Sequence, residues 1–287
     1  MLSYSLRVFG LLVVALIYAG FDVFNKRNVP NTVVYATVAV GFLFSITYPL
    51  PILGLDLLLA LAIGSLGYVA YKTGFLGAGD IYEFVALSLI MPIQPSAYLT
   101  SVQQYQLPFI FSVLVTAGYA AVIMMPIYYL VFTKKNREAE KRGSGKKSAF
   151  RALALLVSYL LLLIFIEYSL GISVVGLVLM MAFACAAAMI SYYGTEINSR
   201  MVEFVYPSKL EEGDMLALNL MTRKEISFFK SKSRGFGRLV ERSFLKDTNK
   251  IRKKVPVYRN SIPLALFVLI GTILSILVGN ILFLFIT

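Results

Sequence analysis

Two aspartates stand where an idle charge is most costly in this chain. Asp22 closes the first long apolar run, in Phe21-Asp22-Val23-Phe24-Asn25-Lys26-Arg27-Asn28-Val29-Pro30-Asn31, and Asp80 opens the fourth, behind Gly74-Phe75-Leu76-Gly77-Ala78-Gly79. An ionisable group at or inside an apolar segment needs a partner or a job. Two carboxylates meeting at a partly desolvated site do not both ionise, because repulsion and burial disfavour the second charge and the pair shares a proton. One member then acts as general base on a water while its protonated partner polarises a carbonyl. Gly77 and Gly79 let the backbone turn tightly and another segment approach closely. Structural readings stand beside the chemical one: Asp80 as a helix N-cap after a glycine turn, and Asp22 as a helix-end charge partnered by Lys26 or Arg27. Glu83, one helical turn beyond Asp80, can tune the proton affinity of its neighbour or face the cytoplasm. Asp56 and Glu167 fall near the ends of their own runs and are expected as solvated end charges.

The elements that must position these groups are membrane helices. Of 287 residues, 59% are hydrophobic and 15% charged, and the mean hydropathy is +0.78. A soluble domain carries nearer 25% charge, so this composition suits lipid-facing helices rather than one aqueous core. The net charge of +12 then reads first as loop charge that sets orientation, not as a nucleic-acid surface. Histidine is absent and Cys185 is the single cysteine. That excludes histidine triads, histidine-ligated metals, internal disulfides and CxxC zinc or redox pairs. The N-terminal apolar run has no small-residue cleavage site and is expected to stay as a helix.

Apolar runs fall at about 4–21, 31–49, 54–71, 80–93, 107–132, 152–168, 171–193 and 262–286. The expected fold is therefore an all-α polytopic bundle of about eight transmembrane helices with a small cytoplasmic α+β domain. With the N-terminus outside, the inward segments 22–30, 72–79, 133–151 and 194–260 hold 26 of the 27 lysines and arginines, leaving only Arg7. This split follows the positive-inside rule and puts both termini outside, with Asp22 and Asp80 at the cytoplasmic face. Residues 1–132 form five spans, 133–151 a basic connector near anionic headgroups, 152–193 a hairpin turning between Glu167 and Gly171, 194–260 a basic domain, and 261–287 a final span. Within 194–260, strands are expected at Val202–Val205 and 215–221 around the turn Glu212-Gly213-Asp214, and an amphipathic helix at 236–250.

These residues resemble the type IV prepilin and preflagellin (archaellin) peptidases, membrane aspartyl proteases with a GxGD motif. Gly77-Ala78-Gly79-Asp80 is similar to the GxGD element. Asp22 with Arg27 and Val29-Pro30-Asn31 resembles the first-aspartate element. Tyr206-Pro207-Ser208-Lys209-Leu210-Glu211-Glu212-Gly213-Asp214 and Ile262-Pro263 echo archaeal members. The likeness is clearest over about 10–93. It implies Asp22 and Asp80 as the catalytic pair, with Gly77, Gly79, Arg27, Pro30 and Asn31 shaping the turn and the substrate's approach. It further implies cleavage, without cofactor or metal, of the short basic leaders of precursors with class III (type IV pilin-like) signal peptides. The missing CxxC pairs point to an archaeal-type member, and no N-methylation is expected. The run Ile81-Tyr82-Glu83-Phe84 lacks the lysine many members carry after GxGD.

Three other readings use the same residues differently. A presenilin or signal-peptide-peptidase type of GxGD protease pairs its motif with Tyr-Asp and Pro-Ala-Leu elements, against Phe21-Asp22 and Pro263-Leu264-Ala265-Leu266 here. A transporter would use the aspartates for cations or protons, commonly within repeats, and no repeat is visible. An assembly scaffold would dock a partner through 194–260.

Overall fold

The structure, a computed structural model, describes residues 3–25, 29–73, 76–93, 107–133, 149–171, 173–233, 235–248, 251–259 and 263–281. Helices form at each of the eight apolar runs: α1 (Tyr4–Phe24), α2 (Asn31–Ser45), α3 (Leu50–Lys72), α4 (Ala78–Ile90), α5 (Phe109–Ile127), α6 (Ala149–Leu170), α7 (Val174–Met201) and α10 (Leu264–Leu277). The chain is a multi-pass α-helical membrane protein, but its helices are unequal. Among the described residues five runs, in α1, α3, α5 with its π-helical extension, α6 and α7, are long and apolar enough to cross a bilayer. The other three, α2 with 15 residues, α4 with 13 and α10 with 14, are not. The count of eight crossings is thus not met by helix length.

Local chemistry cuts these three short. Pro49 follows α2, and Pro92 follows α4; a proline disfavours helix in the residue before it. Pro263 precedes α10, and Gly279 ends it with φ +84°. At 1.5 Å per residue α4 is only about 20 Å long. It is also the most enclosed helix, packed by α1, α2 and α3, with Ala86, Leu87 and Ile90 fully buried. Protein rather than lipid surrounds it, so its length need not match the bilayer. The approach of α3 to α4 is close: a Cβ at Gly67 would lie 2.6 Å from Ile81. The α5–α10 contact is closer still, since a Cβ on Gly271 would meet the backbone N of Ala117 at 2.8 Å and the Val113 carbonyl at 2.9 Å.

The ends of the short helices are closed by a buried cation. Arg7, on α1, donates to the Ile90 carbonyl at 3.0 Å and to the Phe44 carbonyl at 3.2 Å, and also to Thr47 Oγ1. Its guanidinium lies 3.6 Å from the Tyr48 ring centroid. One side chain thus satisfies the negative ends of α2 and α4. Asp56 departs from the expected solvated end charge. It is fully buried and accepts the Ser45 hydroxyl, because α3 starts six residues earlier, at Leu50, and carries Asp56 nearly two turns inward. Glu167 is exposed near the end of α6. The hairpin closes there on Gly171, whose φ of +64° suits a helix C-terminus and whose N–H donates to the Glu167 carbonyl.

Helix α7 runs 28 residues, about 42 Å, and passes straight into a small polar domain. Its Arg200 donates to the carbonyl of Tyr129 (2.9 Å) in the π-helical turn Tyr128–Phe132, just beyond Pro126, and to that of Thr133 (2.5 Å), which follows the turn. Carbonyls in the last turn of a helix have no intrahelical donor, and Arg200 supplies one. In the domain, β1 (Val202–Val205) pairs antiparallel with β2 (Val255–Tyr258), not with the expected strand at 215–221. Residues 215 and 216 make only isolated bridges, to Leu239 and Val257, before a 3-10 turn at Leu218–Leu220. Two helices follow, α8 (Arg223–Lys232) and α9 (Arg242–Thr248). The second covers part of the amphipathic stretch expected at 236–250; the first lies on a short basic segment whose apolar residues, Ile226, Phe228 and Phe229, are too few to set a clear period. Phe229, Phe236 and Phe244 pack with ring centroids 5.9–6.3 Å apart on the apolar core under the ribbon. The connector at 133–151 lies outside the described residues from 134 to 148.

Candidate functional site

Four helix ends meet around the two aspartates: the C-terminal turn of α1 and the N-termini of α2, α4 and α10. Asp22 is half-buried in the last turn of α1, and its Oδ2 accepts the backbone N–H of Ala265 at 3.0 Å. Ala265 is the second residue of α10, and its own N-cap, Pro263, offers no side-chain acceptor. Asp22 therefore caps α10 from across the bundle, 243 positions away in sequence. An anion is favoured at such a helix N-terminus.

Asp80 is also half-buried, with its Oδ2 accepting the Gly77 N–H at 2.9 Å. Helix α4 starts at Ala78, so Asp80 is its third residue and Gly77 the N-cap. The expected N-cap role becomes the returning half of a capping box. Each aspartate thus has one oxygen tied to a helix-terminal amide by geometry that an isosteric amide would preserve.

The Val29-Pro30-Asn31 element lies against this start. Pro30 precedes α2 and its carbonyl accepts the Val33 and Val34 N–H groups, while Asn31 is the first helical residue. A Cβ on Gly79 would sit 3.4 Å from Val29 Cγ2, so the glycine admits the Val29 side chain into contact with the first turn of α4. Gly77 is exposed, and a Cβ there would lie 3.0 Å from Asp80 Oδ2. Arg27 and Lys26 lie outside the described residues.

Behind the aspartates stands a buried polar layer. Glu83 is fully buried, and neither carboxylate oxygen has a hydrogen-bond partner among the described residues. Asp80 and Asp22 both lie within electrostatic reach of it. Tyr18, one turn before Asp22 and 1% exposed, pairs its hydroxyl with Thr37 Oγ1 on α2 at 3.0 Å. It too lies within reach of Glu83 and Asp80. Tyr18 and Thr37 were not legible as site residues; the only trace is the i, i+4 spacing from Tyr18 to Asp22. Among the described residues no group of three or more histidine, cysteine or acidic side chains could hold a metal ion.

Asp214, in the Tyr206–Asp214 stretch, accepts the Glu211 N–H at 3.0 Å and pairs with Arg259 at 3.3 Å. Gly213, with φ +94°, donates its N–H to the Val240 carbonyl. This motif builds the polar domain. Compared with known protein families, curated proteins and solved structures, the chain matches none.

Proposed function

We propose that this chain is a membrane aspartyl endopeptidase of the prepilin and preflagellin type. It cleaves the short basic leaders of type IV pilin-like or archaellin-like precursors, with Asp22 and Asp80 as its catalytic pair. One observation carries the reading. Two aspartates from helices far apart in sequence act on one buried point, Glu83, and each keeps one oxygen on a helix-terminal amide. That oxygen fixes each carboxyl in place, and the pair activates a water and holds one shared proton.

In this mechanism one carboxylate takes a proton from the attacking water while the other, protonated, polarises the scissile carbonyl. Asp22 at the N-terminus of α10 suits the charged role, because the helix dipole favours an anion there. Gly77, exposed beside Asp80, leaves room for an extended substrate backbone. No cofactor is required. In the topology we favour, α2, α4 and α10 complete eight crossings, both termini are outside and the pair opens at the cytoplasmic face. There, 133–151 lies near anionic lipid headgroups and 194–260 forms a basic domain.

The test co-expresses a tagged pilin or archaellin precursor with wild type, Asp22→Asn and Asp80→Asn. Shortening of the precursor by wild type alone, with both variants inserted in the membrane, supports the reading. Cleavage at full rate by either variant removes that aspartate from the mechanism. The buried Glu83 favours a second reading, a proton relay. Dissipation of an imposed pH gradient in proteoliposomes by wild type and not by Asp80→Asn, with no precursor cleaved, would select it.

A further inference from the structure

Glu83 is the costliest side chain in the bundle. Its neighbour in kind, Asp56, is equally buried but takes the Ser45 hydroxyl on one oxygen. Glu83 has no donor on either oxygen among the described residues. It faces Asp80 on its own helix and Asp22 and the Tyr18 hydroxyl on α1, and no described cation acts on it. On α2, the nearby Thr37 hydroxyl is committed to Tyr18 and to the Val33 and Val34 carbonyls. An ionised carboxylate so placed costs several kcal/mol, and an apolar side chain of equal volume would pack without that cost. Packing does not explain an acid here, and its one marked relation is to the two aspartates.

We propose that Glu83 is a third carboxyl of the site, a positioning residue that carries its own proton behind Asp22 and Asp80 and so keeps that pair at one shared proton. This rests on the paired-aspartate reading above. The balance is simple. If Glu83 were charged, its field would draw a second proton onto the pair, and the general base would be lost. With the proton on Glu83, the pair carries one negative charge and one proton, the state that water activation needs. The coupling is reciprocal: the negative charge of the pair holds the proton on Glu83, and removing that charge by replacing both aspartates loosens it.

The experiment reads the proton rather than the reaction. Full-length protein in lipid nanodiscs is titrated while the protonated-carboxyl C=O stretch is followed by infrared spectroscopy. The band at neutral pH is assigned by its loss in Glu83→Gln, or by its displacement in Glu83→Asp if the amide variant does not insert. We expect the band to disappear at a pH lower by about one unit or more in the double variant Asp22→Asn/Asp80→Asn, which carries no charge at the pair, than in wild type. Absence of a Glu83 band at neutral pH, or a band whose titration is the same in wild type and the double variant, overturns the proposal. A band that shifts in a protein that cleaves no precursor supports the coupling and removes the peptidase reading instead.

Discussion

Asp22 has two separable duties, and two substitutions divide them. Its Oδ2 accepts the Ala265 N–H at 3.0 Å and closes the N-terminus of α10; its charge is the proposed base. Asparagine keeps an acceptor of the same reach, so Asp22→Asn should cost about 0.5 kcal/mol of stability or less, the lost helix-dipole term. Alanine leaves the Ala265 amide without its acceptor, and a lost cap costs about 1–2 kcal/mol. For the reaction the order differs. Both changes remove the base, and loss of general base catalysis slows a reaction about 10²–10⁴-fold. At 1.36 kcal/mol per decade that is about 3–5 kcal/mol of barrier. The assay pairs thermal unfolding in detergent with the initial rate of leader cleavage from a purified precursor. The expected signature is an Asp22→Asn protein as stable as wild type and at least about 100-fold slower, and an Asp22→Ala protein that is both slower and less stable. Were Asp22→Asn to cleave within a few-fold of wild type while Asp22→Ala unfolded early, Asp22 would be a cap and nothing more.

Three further outcomes test the scaffold. Arg7→Met should lower stability by about 3 kcal/mol, because the Ile90 and Phe44 carbonyls lose a charged donor in a water-poor place; thermal unfolding reads it, and a change under 1 kcal/mol would deny Arg7 its capping role. Gly271→Ala gains helix propensity but drives a methyl into the α5 backbone, for a net loss of about 2 kcal/mol. Wild-type stability in that variant would mean that α5 and α10 do not pack this closely. Thr222 Oγ1 and Glu225 close a reciprocal box at the start of α8, so Thr222→Ala should cost about 1 kcal/mol. Hydrogen exchange at the α8 amides in the intact protein should speed accordingly, and unchanged protection would refute the box.

Much was legible in the chain alone, and for a physical reason. A bilayer accepts long apolar helices and few charges, so the helical runs, the loops between them and the aspartates at run ends stand out in composition and spacing. The glycines ahead of Asp80 and the proline ahead of Asn31 announced breaks between helices, and α4 and α2 start there. Tertiary structure decided the rest. Asp56 read as an end charge because nothing in sequence showed that α3 begins at Leu50. The partner of Val202–Val205 lies some fifty residues on rather than across the Gly213 turn, since strand pairing follows burial on the aromatic core and not nearness in sequence. The short helices α2 and α4 end where Arg7, from the far end of α1, takes up their carbonyls, and other helices enclose α4. Most of all, the meeting of Asp22 with the amide of Ala265 joins segments 243 residues apart, and the packing brings both aspartates within electrostatic reach of Glu83. A sequence lists the charges, but which of them share a low-dielectric space is fixed only when the helices pack.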